Sequence, residues 1–210
     1  MSTSALIEHV NFYSRYGADI HSQNGEDGVL SEVFRRLKID KGTFCEFGAA
    51  DGIFCSNTRL LLENGWTGKL IEADPVRAKA LIDNTIGKPI ELYFGSVTAH
   101  NANELIPERL NLLSIDVDND DFHIWNAYRG NADVVVIEVN SSIAPPEIVI
   151  PGKSGASYSG MVMLGLSKGY FLLAHKGNCI FILNKYRDLF PEIDGDGVVN
   201  ADQYFDRSWL

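Results

Sequence analysis

Cysteine is scarce in this sequence. There are three in 210 residues, Cys45, Cys55 and Cys179, with no Cys-x-x-Cys pair and no cysteine–histidine spacing of the kind that builds a zinc site. An odd, scattered set offers no disulfide framework, and the reading is reduced thiols in a cytoplasmic protein. Positive charge is also short: 18 Lys and Arg against 28 Asp and Glu leave a net charge of −10. A surface of that sign repels phosphate backbones and anionic headgroups, so no nucleic acid is expected as a main partner and no membrane surface as a support. No apolar run approaches the roughly 18 residues that would span a bilayer. The first residues lack a basic start followed by an apolar stretch, so no signal peptide is expected. Internal repeats and low-complexity segments are missing too.

Hydrophobic residues at 45% and charged residues at 22% are the ordinary mixture of a globular chain. The length suits one domain built on about 150 residues or more. Short apolar runs alternate with helix-like segments. Strands are expected at 43–47, 69–72, 90–94, 112–116, 133–138, 170–174 and 179–183. Several are apolar throughout instead of alternating, as strands covered on both faces are. Helices are expected at 28–38, 56–64, 75–84, 120–128 and 157–168. In the first of these, Val29, Leu30, Val33, Phe34 and Leu37 recur at spacings of three and four. Ser56 is a good N-cap type, Gly65 a good stop, and Pro75 suits a first helical turn. The alternation gives an α/β, doubly wound sheet. Only residues 175–178, including Gly177, separate the last two strands, so they read as an antiparallel hairpin. Residues 140–154, rich in Pro, Gly and Ser, read as a loop over the sheet edge.

Ligands of such sheets bind at the carboxyl ends of the strands. The first strand runs into Glu46-Phe47-Gly48-Ala49-Ala50-Asp51-Gly52. This is neither a Gly-x-Gly-x-x-Gly turn nor a phosphate loop, and its acidity disfavours a pyrophosphate. A ligand bearing an amino group or a sulfonium suits it better; an ordinary tight turn with solvated carboxylates is the plain alternative. The second strand ends in Ile71-Glu72-Ala73-Asp74-Pro75. A carboxylate at the place of Glu72 can accept two hydrogen bonds from ribose hydroxyls. Asp74, directly before the proline, reads as a helix cap.

These segments, with Ser56-Asn57-Thr58, Asn64-Gly65-Trp66-Thr67-Gly68, the upstream Ser22-Gln23-Asn24-Gly25-Glu26-Asp27-Gly28, the downstream Leu113-Ser114-Ile115-Asp116-Val117-Asp118, and Gly155-Ala156-Ser157 followed by Lys168-Gly169-Tyr170, resemble the S-adenosylmethionine-dependent methyltransferases of the FkbM type. The resemblance covers residues 22–183. It implies a seven-stranded Rossmann-like methyltransferase sheet, mostly parallel, with an antiparallel C-terminal hairpin. In this reading 1–210 is a single domain: an N-terminal helical segment, 1–40, covering the cofactor, a core sheet over 43–183, and a C-terminal tail, 184–210. It implies further that Glu46, Gly48, Ala50 and Gly52 line the methionine end of S-adenosylmethionine, that Glu72 holds the ribose, and that Ser96 and Val97 neighbour the adenine. Gln23 and Glu26 would close over the cofactor, and Asn57 would reach it; for Gln23 and Asn57, plain loop and cap hydrogen bonding competes. The acceptors implied are hydroxyl groups of sugars or sugar-containing small molecules. One departure is Asn119, which stands where related sequences carry glycine; asparagine tolerates the left-handed backbone such a turn needs.

The fourth and fifth expected strands end in acid clusters, Asp116-Val117-Asp118-Asn119-Asp120-Asp121 and Glu138-Val139-Asn140. As neighbours they would gather Asp116, Glu138 and Asn140, with Asp118 nearby. Hard oxygen ligands of this kind suit Mg2+ or Mn2+, which would lower the pKa of an acceptor hydroxyl. A metal-free route uses a carboxylate, His123 or His175 as general base. A third reading makes the acid run a helix cap, which suits Asp120 and Asp121 best and Asp116 least. An EF-hand is excluded, because the run lacks the loop glycine and the later glutamate.

The resulting expectation is a methyltransferase acting on an oxygen nucleophile, with Asp116 as proton acceptor or metal ligand and Glu138, His175 and Asn140 in support. The expected partner is a small-molecule or glycan acceptor, and an oligomer is compatible with this reading. Two rivals remain: a non-catalytic S-adenosylmethionine-binding module, and a nucleotide-sugar or dinucleotide enzyme on the same fold.

Overall fold

The computed structural model describes residues 11–150, 155–193 and 204–210. Seven strands, β1 (Thr43–Phe47), β2 (Thr67–Glu72), β3 (Ile90–Phe94), β4 (Arg109–Ile115), β5 (Asn131–Glu138), β6 (Tyr170–Lys176) and β7 (Asn178–Leu183), form one sheet in the order β3-β2-β1-β4-β5-β7-β6. The pairs β1–β2, β2–β3, β1–β4 and β4–β5 are parallel; β7 lies antiparallel between β5 and β6. The doubly wound sheet with its antiparallel C-terminal hairpin is therefore as expected. Chain order reverses at β1, whose two neighbours are β2 and β4, and this opens a crevice above their carboxyl ends.

Burial explains why the strands were visible. From Ala132 to Ile137 every residue of β5 is buried, as are Tyr170 to His175 of β6. The helices among the described residues are α1 (Phe12–Tyr16), α2 (Glu26–Leu37), α3 (Arg59–Glu63), α4 (Pro75–Thr85), α5 (Ala102–Leu105), α6 (Asp121–Ala127) and α7 (Tyr158–Ser167). The apolar stripe of α2 is buried from Val29 to Leu37. Asp74 caps α4 by accepting from the backbone N–H groups of Val76 and Arg77, and Ser157 caps α7 by accepting from Gly160 N–H. Arg36 on α2 fastens the N-terminal layer. Its guanidinium pairs with Glu32 (2.7 Å) and Glu192 (2.8 Å) and lies over the rings of Phe12, Tyr16 and Phe190.

Three expectations need correcting. The helix expected from Ser56 begins only at Arg59, because the Ser56 hydroxyl accepts from the Thr58 and Arg59 N–H groups and closes a turn ahead of it. The terminal hairpin has a shorter turn than 175–178: Lys176 and Asn178 still pair, leaving Gly177 alone at the bend with φ +76°. His175, expected in that turn, therefore lies inside β6. Helices α1 and α5 were not anticipated; each is too short to show a period. Of the loop expected at 140–154, residues 151–154 lie outside the described residues, as do parts of the terminal segments 1–40 and 184–210.

Candidate active site

A cavity of about 1030 Å³ sits in the crevice above β1, β2, β4 and β5, a volume that suits a nucleoside-sized ligand. Its floor is the turn after β1. Gly48 has φ +74°, and a Cβ there would overlap the carbonyl oxygen of Asp116, so β1 and β4 approach closely only with glycine at this place. Ala50 follows with φ +48°, an uncommon conformation for an L-residue. It is held by Glu72, whose Oε2 accepts from Ala50 N–H at 2.7 Å while Oε1 accepts from Asp74 N–H at 2.7 Å. Each carboxylate oxygen retains a further lone pair. Ser96 and Val97, beyond β3, form another wall.

Asp116 and Glu138 face this floor from the ends of β4 and β5. Each offers a carboxylate oxygen within 4.8 Å of the other and of Asp118, and all three side chains are exposed to the cavity. Removal from bulk water, then the charges of Asp121, Asp118 and Glu46, push Asp116 up to about 6. Desolvation, then Asp116, Asp121 and Asp118, push Glu138 up to about 7. Arg77, in the first turn of α4, lines the same cavity and counters the rise at Asp116. The acid turn is itself well built. Asp121 is buried, and its Oδ1 accepts from Val117 N–H at 2.9 Å; the cap expected of Asp120 makes no side-chain bond. Asp118 and Asn119 both take positive φ, 55° and 93°, so the turn survives without glycine.

Of the candidate site residues singled out in the sequence, Gly48, Ala50, Glu72, Ser96, Val97, Asp116, Asp118 and Glu138 share this cavity. Glu46, Asn57, Gly52, Glu26, Gln23, Asn140, His175 and His123 do not line it. Glu46 is buried beneath the turn, where it accepts from Ser56 Oγ, Asn57 N–H and Thr58 Oγ1 at 2.7–2.8 Å. Asn57 donates its Nδ2 to Ser114 Oγ. Gly52 packs against Leu81. Glu26 is buried and accepts from Asn24 N–H and Asn178 Nδ2. Gln23 is exposed on the loop before α2. Asn140 turns its Oδ1 to the backbone and hydroxyl of Ser142, so the expected Asp116–Glu138–Asn140 grouping is replaced by one with Asp118. His175 is buried, with its ring nitrogens engaged by Ser141 and by Asp206 N–H, and burial pushes its pKa down to about 4. His123 is an exposed residue of α6. Arg77 and Phe54 were missed. For Arg77 the available signal was its place in the first turn of a helix entered directly from a strand end.

No family model and no curated protein sequence matches the chain, so the FkbM-type resemblance has no match of either kind behind it. Solved structures do match. A candidate RNA methyltransferase from Pyrococcus horikoshii is similar with a TM-score of 0.52 and 14% identity, covering 77% of this chain and 85% of that one. TehB from Haemophilus influenzae gives 0.50 and 11%, covering 76% and 68%. The CurJ carbon methyltransferase gives 0.50 and 8%, covering 74% of this chain and 52% of that one. Identities this low establish a shared fold, the seven-stranded sheet with its inserted antiparallel strand.

Proposed function

We propose that this chain is an S-adenosylmethionine-dependent methyltransferase of the FkbM type, acting on a hydroxyl of a sugar-like or other small acceptor. One observation carries the reading. The ribose-type carboxylate, Glu72, and two carboxylates with raised proton affinity, Asp116 and Glu138, open onto one cavity at the point where the strand order reverses. The donor set fits the cofactor: Glu72 for a vicinal diol, Ile71 and Val97 as apolar cavity wall, and surrounding carboxylates for a sulfonium. When bound, S-adenosylmethionine supplies an electrophilic methyl group on sulfur. The chain's own residues then do two things. The Gly48–Ala50 turn and Glu72 fix the ligand's position, and Asp116 or Glu138 receives the acceptor's proton, for which a pKa near neutrality is well matched.

The dinucleotide rival is disfavoured by the helix termini. No helix starts at the turn after β1, since α3 begins only at Arg59, and the N-terminal amides of α4 are already taken by Asp74. A pyrophosphate would find no helix N-terminus at the turn after β1, and at α4 it would meet the Asp74 carboxylate. The metal route loses the amide ligand expected of Asn140, which is committed to Ser142, and keeps the three carboxylates of Asp116, Asp118 and Glu138; the metal-free route is the one carried forward.

Calorimetry with S-adenosylhomocysteine and with NAD tests the cofactor; preferential NAD binding would sink the reading. Incubation with methyl-labelled S-adenosylmethionine and a panel of glycans and small alcohols, with and without EDTA, tests the chemistry. Label transfer that survives EDTA is expected, and dependence on added Mg2+ or Mn2+ would restore the metal route. Tight cofactor binding without transfer, unaltered when Asp116 and Glu138 are both changed to amides, would favour the non-catalytic module.

A further inference from the structure

His175 and Ser141 stand 3.0 Å apart, Nε2 to Oγ, both buried. The pair has the spacing of a nucleophile and its base. A third contact reverses that meaning. The backbone N–H of Asp206 points at Nδ1 of His175, at 3.0 Å. A backbone N–H can only donate, so Nδ1 must be the acceptor, and a neutral imidazole then carries its proton on Nε2. The imidazole therefore donates to Ser141 and does not draw a proton from it. Ser141 is left with its own hydroxyl proton, which points to the carbonyl oxygen of Val139 at 3.4 Å. The three links run in one direction: Asp206 N–H to His175, His175 to Ser141, Ser141 to the residue after Glu138. The ring is held in this orientation from both sides, stacked on Phe205 (centroids 4.9 Å, interplanar 9°) and met edge-on by Tyr158 at the start of α7 (4.9 Å).

We infer that His175 is a positioning residue, a neutral Nε2–H imidazole that fastens the C-terminal residues Tyr204–Asp206 to Ser141 and through it fixes the turn leaving β5, on which Glu138 sits. Only the consequence for Glu138 rests on the methyltransferase reading; the latch itself does not. Val139 N–H to Gly177 O and Asn140 N–H to Ala156 O complete the anchoring of that turn. With all of them in place, the Glu138 carboxylate is carried on a backbone tied to β7, to the segment entering α7 and to the C-terminal segment.

Nitrogen-15 spectra of the full chain read the tautomer directly. A protonated Nε2 with unprotonated Nδ1 is expected, and the opposite tautomer overturns the inference. Hydrogen exchange then reads the linkage in two variants. His175→Phe keeps the ring and its stacking but removes both hydrogen bonds; about tenfold faster exchange is expected in both 204–206 and 138–142. Ser141→Ala removes only the second link, and faster exchange is expected in 138–142 alone. The carboxyl carbon-13 resonance of Glu138, at constant pH, is expected to move in both. Loosening of 204–206 in His175→Phe with 138–142 and the Glu138 resonance unchanged would show that the two segments are not coupled. None of these measurements uses a methyl donor or an acceptor. Their failure leaves the methyltransferase reading standing, and failure of cofactor binding leaves the latch standing.

Discussion

Glu72 accepts a hydrogen bond from the backbone of Ala50 across the crevice, so the residue proposed to hold the ribose also holds the floor of the cavity in its left-handed conformation. One side chain thus serves both the shape and the chemistry of the site. Replacing Glu72 with Ala should therefore weaken S-adenosylhomocysteine binding by more than the loss of two ribose bonds. A drop of about a hundredfold or more by calorimetry is expected, together with about 1 kcal/mol of stability from the two part-buried hydrogen bonds lost. Glu72→Gln keeps an acceptor oxygen and should recover part of both.

Asp116 and Glu138 make stability and activity respond to pH in opposite senses. Their folded pKa values, about 6 and about 7, lie above the ordinary 3.8 and 4.5. Between those limits the folded chain binds protons that the unfolded chain has released. Their contribution to stability is therefore fullest at low pH, falls as pH rises from about 4 to about 7, and is flat above, against the opposite contribution of His175, whose lowered pKa favours the folded state as pH rises from about 4. Glu138→Gln removes a partly desolvated charge and its repulsion by the neighbouring carboxylates, screened because the side chain is exposed, and should gain about 1 kcal/mol at pH 8, a Tm rise of about 2–4 °C. The gain should vanish near pH 4. Methyl transfer by the wild type should rise with pH through a midpoint between about 6 and 7; loss of transfer at every pH in Glu138→Gln assigns the proton acceptor to Glu138, and transfer retained with a midpoint near 6 assigns it to Asp116.

Asn119 tests whether the acid turn is strained. At φ 93° an asparagine is tolerated and a glycine is free. Asn119→Gly should leave Tm unchanged or raise it slightly, with cofactor binding intact. A β-branched residue there, Asn119→Val, should cost about 1–3 kcal/mol and displace the neighbouring Asp118.

Arg36 should matter more than an ordinary surface arginine, because its head group meets two carboxylates and three aromatic rings at once. Arg36→Ala should cost about 2–4 kcal/mol in denaturant unfolding, leaving Glu192 without this ion pair and Glu32 with Arg35 as its remaining partner. Arg36→Lys should recover less than half, since a point charge cannot address both carboxylates from one plane.

The sheet was legible because β5, β6 and the inner halves of β1 and β4 are apolar on both faces, and the order of elements left few topologies. The carboxylates at the strand ends were legible for the same reason, since a strand that is apolar to its last residue makes the acid after it conspicuous. Glu46 shows where this fails. It looked like Glu72, an acid closing an apolar strand, but Ser56, Asn57 and Thr58 fold back beneath the turn and take its oxygens. That return is a tertiary event with no local period. His175 was misplaced for a related reason: pairing continues through Lys176 and Asn178, so one glycine makes the bend that four residues suggested.

The position of β1 inside the sheet, between β2 and β4, bears on how the chain reaches its native state. Phe47 is in register with Ile115 on one side and with Ile71 on the other. The crevice between β1 and β4 cannot exist until everything from the first turn through α5 has been looped out and β4 has docked, and closing so long a loop before its contacts form makes this a late event. The connection from β4 to β5 is much shorter, so by the same argument β5 pairs with β4 first and Glu138 arrives together with it. A chain released early, or one trapped before β4 pairs, would hold the first turn and Glu72 yet bind nothing. Binding of the proposed cofactor would thus be a readout of completed folding, and its appearance during refolding should lag behind helix formation.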